Sequence, residues 1–446
     1  MKKIAIVLVT YDGIVNNYCG VGTSCQNFIN SFSGVREYFR NKQIDLSLHL
    51  VTPALLKDSL GYSSVLKKES EQIAIKFGGR LHFIINGSNG MIPYGQLENW
   101  KIASVAAASK SLEIAGEYDE TIVFCLDTPF AHTPYYIDLQ KEAYGVKITS
   151  VLVFESDVLI HERENPSIDR LAWEASALKQ SVYSPSIYIA DVGLFITNHL
   201  IKNYGLPFFK FIPLGLGLNP ESERYKYFSE AQVATFLQGY QIPLEKKIIF
   251  SVARAVDYKG FDLLIEAVAR IHHDAHLVFI ASPYKTEDSC VAKLKNLVAQ
   301  TGISCTPIYT CDFELPRYIC QWKNTILVAQ LARYEPFGLV PEEVRIWAKN
   351  QGPVVLTSNC DGFVEQIDDG KDGFLVDISN IESIAQKIDD ILDKTRDELD
   401  AIRLNGYRRF CKDYDYRNSL LKSLKRLIQP DHSNSNDQSI NNYIKV

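Results

Sequence analysis

The sequence predicts an α/β protein made of two doubly wound units with parallel sheets. Three observations carry this expectation. Strand candidates recur along the chain, and most are continuous apolar runs, the pattern of strands covered on both faces. Helical patterns lie between many of them, as crossover connections require. The 446 residues, 46% of them hydrophobic, suffice for two cores, and a Pro- and Gly-rich stretch near the middle precedes a restart of strand, turn and helix.

In chain order, the opening "MKKIAIVLVT" is too short, and too rich in β-branched residues, for a signal peptide. It reads as a buried first strand entering the turn "YDGIVNNYCGVGT". The runs "IDLSLHLVT", "HFIIN", "TIVFCLD", "KITSVLVFE" and "YIADVGLFIT" continue an N-terminal domain over 1–210. The stretch "YGLPFFKFIPLGLGLNPESERYKYF" marks a hinge, placed over 211–245. A second domain, 246–412, holds "KIIFSVA", "AHLVFIAS", "NTILVAQ" and "PVVLTS". Its clearest helix is "KGFDLLIEAVARIHH", where Phe261, Leu264, Ile265, Val268 and Ile271 recur at spacings of three and four. An amphipathic helix over 413–428 is expected to return to the first domain, and 429–446 is a polar tail with no core of its own.

Charge and cysteine usage exclude several functions. With 47 basic and 53 acidic side chains the net charge is −6, which gives no electrostatic case for nucleic acid. No run reaches the roughly 20 apolar residues that span a bilayer, so the chain reads as soluble. Nine cysteines, with no Cys-x-x-Cys pair and no matching Cys/His spacing, suit a reducing cytoplasm and give neither a disulfide framework nor a metal site.

Chemistry concentrates in "RYEPFGLVPEE", Arg333–Glu343, where an apolar strand gives way to a helix with Pro341 in its first turn. The N–H groups of Phe337, Gly338 and Leu339 can face an anion there, and Gly338 permits close approach. Ionised glutamates beside that point accept hydrogen bonds from hydroxyls. A sugar nucleotide supplies both a diphosphate and hydroxyls. Taken alone, Glu342 and Glu343 equally suit the helix dipole. Upstream, "SVARAVDYKGFD" places Arg254 and Lys259 on a strand-to-helix turn, where two cations can converge on one diphosphate.

In order and spacing these motifs resemble those of the retaining GT-B glycosyltransferases, in particular glycosyltransferase family 4 (group 1). Arg254 and Lys259 match the family's basic pair, and Glu335 and Glu343 match its paired glutamates. "GPVVLTSNCDGFVEQIDDGKDGFLVD" matches the following segment, with Gly352, Pro353, Gly362, Glu365 and Gly373 in place. The resemblance implies two Rossmann-like domains facing across a cleft. Glu335 would bind the donor sugar, Glu343 the ribose, and Arg254, Lys259 and Glu335 would carry catalysis. In the first half, "NNYCGVGTSCQNFIN" resembles the family's glycine-rich loop, with Gly20 and Gly22 near the donor. Where the family often places a histidine, this chain offers Glu155 and Asp157. Asp127 and His132 stand at another strand end, which makes four acceptor-side candidates.

The function so implied is transfer of a hexosyl-type sugar from a nucleoside diphosphate donor, with a slight preference for a UDP-sugar, to a small polar or saccharide acceptor, with retention. No cofactor or metal is implied, because fixed cations and amides can stabilise the departing diphosphate. The alternatives are a nucleotide-sugar 2-epimerase of the same fold and a non-catalytic nucleotide-sugar-binding protein.

Overall fold

The computed structural model describes residues 1–17, 20–57, 59, 61–88, 96–283 and 288–429. Cys19 and the tail from 430 onward lie outside them. Seven parallel strands form the first sheet: β1 (Lys2–Val9), β2 (Ile44–Pro53), β3 (Leu81–Ile84), β4 (Glu120–Leu126), β5 (Ile148–Val153), β6 (Ile187–Asp191) and β7 (Phe211–Pro213), in the order β3-β2-β1-β4-β5-β6-β7. Six more form the second: β8 (Lys247–Arg254), β9 (Ala275–Ser282), β10 (Cys305–Ile308), β11 (Thr325–Gln330), β12 (Val354–Ser358) and β13 (Phe374–Val376), in the order β10-β9-β8-β11-β12-β13. Both orders reverse direction beside the first strand of the sheet, at β1/β4 and β8/β11. In open α/β sheets ligands bind at such switch points, outside the carboxyl ends of the strands.

The continuous apolar runs are explained by burial on both faces. Ile4 to Val9 of β1 and Leu277 to Ala281 of β9 are wholly buried. In the second unit Phe261, Leu264 and Ile265 pack with Leu277, Phe279, Leu327 and Leu356 in one cluster.

Each of the ten apolar runs contains a strand, but "YIADVGLFIT" does not continue as one. β6 ends at Asp191, whose carboxylate accepts from Thr197 Oγ1 at 2.7 Å, and a helix runs over Leu194–Tyr204. A short apolar run has no periodicity that separates a strand from a buried helix face.

The chain divides into two compact units, Met1–Asn219 together with the helix Tyr416–Ile428, and Pro220–Asp415. The boundary between the units, Asn219/Pro220, falls inside the segment 211–245 expected as the hinge, and most of that segment belongs to one unit or the other. β7 extends the first sheet, and Leu214, Leu216 and Leu218 beyond it are buried. Asn219 is tied to the first unit, its N–H donating to Asn27 Oδ1 at 2.9 Å and its Nδ2 to Asn30 O at 3.0 Å. The helix Glu230–Gly239, started by a Ser229/Gln232 capping box, belongs to the second unit. Alternating leucines between prolines and glycines hid the burial. The helix Tyr416–Ile428 belongs to the first unit: Leu420 and Leu424 are buried, the Tyr416 ring lies 6.5 Å from that of Phe28, and Tyr416 N–H donates to Leu218 O at 3.1 Å.

Candidate functional site

In the second unit the site is built by fastening the turn after β8 to the loop after β11. Arg254 ends β8, and a single 3-10 turn, Asp257–Lys259, is closed by Gly260. Gly260 has φ +69°, and a Cβ there would lie 1.9 Å from the Leu331 carbonyl oxygen, so only glycine lets the two loops touch. Across that contact Arg333 N–H donates to Tyr258 O at 2.7 Å, and Arg333 Nη1 donates to Asp257 O at 2.5 Å. The Arg333 guanidinium grips both carboxylate oxygens of Asp262 at 3.0 and 2.6 Å. The rings of Tyr258 and Tyr334 stack 4.5 Å apart. This fastening brings the Lys259 ammonium into a direct ion pair with the Glu335 carboxylate, 76 residues away in sequence. Arg254 Nη2 donates to the Tyr258 hydroxyl at 2.5 Å, so both cations share one turn.

The Glu335 loop is also stapled to the next strand-to-helix turn. Glu335 N–H donates to Asp361 Oδ2 at 3.1 Å, and Gly362 N–H donates to Glu335 O at 3.0 Å. A Cβ on Gly362 would lie 2.2 Å from Pro336 O. Gly338 has φ +79°, and a Cβ on it would meet the Phe363 ring at 2.6 Å and Glu335 Cγ at 2.9 Å. The Phe337 side chain is buried beside Tyr414, and its carbonyl accepts from the Gln366 side chain. The N–H groups of Phe337, Gly338 and Leu339 take no partner among the described residues. They precede the helix Val340–Trp347, with Pro341 in its first turn. Gly352 is needed elsewhere, since its Cβ would lie 2.2 Å from Cys320 O in the approach to β12.

The adjacent acids Glu342 and Glu343 point to different partners. Glu343 Oε1 lies 2.7 Å from Arg224 Nη2; burial pushes its pKa up and Arg224 opposes that shift. Glu342 is fully buried against Arg345 at 2.7 Å, with its pKa also raised by burial. Arg345 continues to Gln366 O at 2.9 Å and to the Asp372 carboxylate at 3.3 Å, which Arg409 holds at 2.8 Å. Glu342 is thus a packing acid, a role the helix-dipole reading did not contain. Arg224 was missed in sequence because it lies in the stretch read as a hinge.

In the first unit, Gly20 opens the helix Gly20–Arg40 with open space around its Cβ position. Gly22 is crowded: a Cβ there would lie 2.7 Å from Asp12 Oδ2 and 2.8 Å from Asn17 Oδ1, so the close approach it permits is to these side chains. Asp127 sits at φ +68°, its carboxylate accepting from Thr128 N–H at 2.8 Å. Glu155, at the end of β5, has its pKa pushed up to about 7 by burial, reinforced by the charges of Asp127 and Asp12. These three acids converge at the ends of β1, β4 and β5.

The structure engages the other two acceptor-side candidates in packing. His132 is buried, its Nε2 3.0 Å from Trp173 O and its ring 4.1 Å from the Trp173 ring, and burial lowers its pKa. Asp157 is fully buried, caps a helical turn through Ile160 N–H at 3.0 Å and takes His199 Nε2 at 2.8 Å. Spacing along a strand end does not reveal which side chains turn inward.

Among the described residues no group of three or more His, Cys, Asp or Glu side chains is arranged to hold a metal ion. No described helix is long and apolar enough to cross a membrane.

Comparison with known proteins gives the class of this architecture. The two parallel α/β units are those of the GT-B fold. Residues 233–409, which contain both fastened loops, match the family model "Glycosyl transferases group 1". The chain is 30% identical over 208 residues to sucrose synthase 6 of Arabidopsis thaliana, covering 42% of this chain and 21% of that protein. It is 28% identical over 153 residues to spore coat protein SA of Bacillus subtilis, covering 33% and 40%. The chain thus spans well under half the length of these curated relatives. Among solved structures, sucrose-phosphate synthase from Thermosynechococcus elongatus superposes with TM-score 0.70 at 15% identity, over 95% of this chain and 98% of that one. HepE from Anabaena, solved with UDP and glucose, superposes with TM-score 0.66 at 15% identity, over 96% and 99%. Likeness at that identity speaks to the fold.

Proposed function

We propose that the chain is a retaining glycosyltransferase that moves a hexosyl-type sugar from a nucleoside diphosphate donor to an acceptor hydroxyl. The observation that carries this reading is the Lys259–Glu335 pair, assembled beside Arg254 at the β8/β11 switch point inside the matched segment. Lys259, Arg254 and the N–H groups of Phe337, Gly338 and Leu339 take the donor diphosphate and stabilise the charge that develops on it as the glycosidic bond breaks, without a metal. Glu335 accepts from the sugar hydroxyls once Lys259 engages phosphate. Glu343 accepts from the ribose. A UDP-sugar is the favoured donor, supported by the UDP and UDP-glucose complexes of HepE. Asp12, Asp127 and Glu155 are offered for hydroxyls of a small polar or saccharide acceptor. A reducing, cytoplasmic setting is part of this reading, taken from nine cysteines that carry no paired spacing in the sequence.

Turnover of UDP-glucose with a panel of sugar acceptors, followed by product mass and anomeric configuration, tests the reading. Arg254→Ala and Lys259→Ala should each lower kcat by about tenfold to a hundredfold. Near-normal rates in both would remove the diphosphate assignment. Isomerisation of the donor without acceptor would identify an epimerase instead.

A further inference from the structure

We propose that Arg224 is a positioning residue for nucleotide binding: it keeps Glu343 ionised and turned so that its second carboxylate oxygen meets the ribose hydroxyls of the donor. This rests on the donor-site reading above.

The argument begins with how Arg224 is held. It lies in the 3-10 turn Glu223–Tyr225, whose start is capped by Ser222. Its carbonyl accepts from Trp347 Nε1 at 3.1 Å, and its guanidinium stands 5.9 Å from the centre of the Trp347 ring. The Tyr225 ring lies 5.7 Å from the same indole. Trp347 is four residues beyond Glu343 on the helix Val340–Trp347, so it shares that acid's face. The turn is thereby clamped to the helix with the Arg224 guanidinium over Glu343.

The contact itself is one-sided. Nη2 reaches Oε1 at 2.7 Å, while Oε2 takes no hydrogen bond from the described residues. The Glu343 side chain is 8% exposed and that of Arg224 29%, so the pair sits at a rim with its acid inward. An isolated carboxylate so placed would take up a proton and lose acceptor strength. Arg224 is the cation that faces it. The other titratable groups that feel its charge, Tyr225 on the same turn and Cys320, are both pushed up by burial and remain neutral. The titratable groups besides Glu343 that act on Arg224 are Tyr225, Glu314 and Cys311. Without Arg224 the burial that raises the Glu343 pKa would go unopposed by its facing cation, and a ribose diol, which offers two donors, would meet a carboxyl that is itself a donor.

The test is calorimetry of the full chain with UDP and with 2′-deoxy-UDP from about pH 6 to about pH 9, on wild type, Arg224→Met, Arg224→Lys and Glu343→Gln. Wild type should prefer UDP with little pH dependence. Arg224→Met should bind UDP about tenfold more weakly at neutral pH, lose its preference over the deoxy nucleotide, and recover both as Glu343 ionises at higher pH. Arg224→Lys should keep most of the affinity. Glu343→Gln should show the same loss without recovery, and it holds the proposal to account should Arg224→Met fold poorly. Unchanged UDP affinity, pH profile and ribose preference in the Arg224 variants would overturn the role of Arg224 alone. Wild type that binds none of UDP, GDP and ADP would overturn the donor-site reading, and the role of Arg224 with it.

Discussion

Replacing Glu342 by alanine should unfold the second unit well before it affects nucleotide binding. Glu342 is wholly buried and Arg345 nearly so, at 0% and 2% side-chain exposure, with 2.7 Å between Oε1 and Nη1. Removing one member of a buried pair leaves the other charge uncompensated, which costs about 3–5 kcal/mol. Here Arg345 keeps Asp372 at 3.3 Å and the Gln366 carbonyl at 2.9 Å, so the lower figure applies, about 3 kcal/mol. The unit spans 415 − 220 + 1 = 196 residues. At that size the loss corresponds to a fall in Tm of roughly 6–12 °C. Differential scanning calorimetry should show it, while calorimetric titration of UDP on the folded variant stays within about threefold of wild type. Leucine at 342 with methionine at 345 should regain most of the stability, because well-packed apolar replacements of buried ion pairs are often neutral. A drop below about 1 kcal/mol would refute the reasoning, as would loss of UDP binding at unchanged Tm.

Gly260→Ala should lower both Tm and UDP affinity, since a left-handed alanine costs about 1–2 kcal/mol and its Cβ would drive apart the loops that meet at Leu331; an unaltered melt and unaltered binding would show that the fastening is dispensable. His49, bonded to His82 Nε2 at 3.0 Å and to the Tyr118 hydroxyl at 2.8 Å, has its pKa lowered by burial to about 4. The unfolded chain takes that proton near its ordinary pKa of 6.5 and the folded one only near 4, so the stability His49 contributes is present above 6.5 and is lost as pH falls between the two, by at most about 3 kcal/mol. Glu155 and Glu174, raised to about 7, slope the opposite way, so the readout is the difference between wild type and His49→Asn in urea midpoints across that range; parallel curves would count against it.

The parallel α/β class was legible in the order of residues, because strands buried on both faces must be continuously apolar, and ten such runs each hold a strand. That order also pointed to Arg254, Lys259 and Glu335, because glycine, cation and acid at strand-to-helix turns leave a local pattern. What it could not contain is which distant side chains meet. β7, β10 and β13 are three or four residues long, too short for a periodicity to register. The ion pair of Lys259 with Glu335 depends on a contact between two loops that only Gly260 makes possible. Glu342 and Glu343 are neighbours of identical chemistry, yet successive residues of a helix point about 100° apart. Tertiary structure therefore sent one to Arg345 in the interior and the other to Arg224 at the rim. His132 and Asp157 turned inward for the same reason: a strand end sets where a side chain starts, and the packing of the helices around it decides where its polar atoms finish.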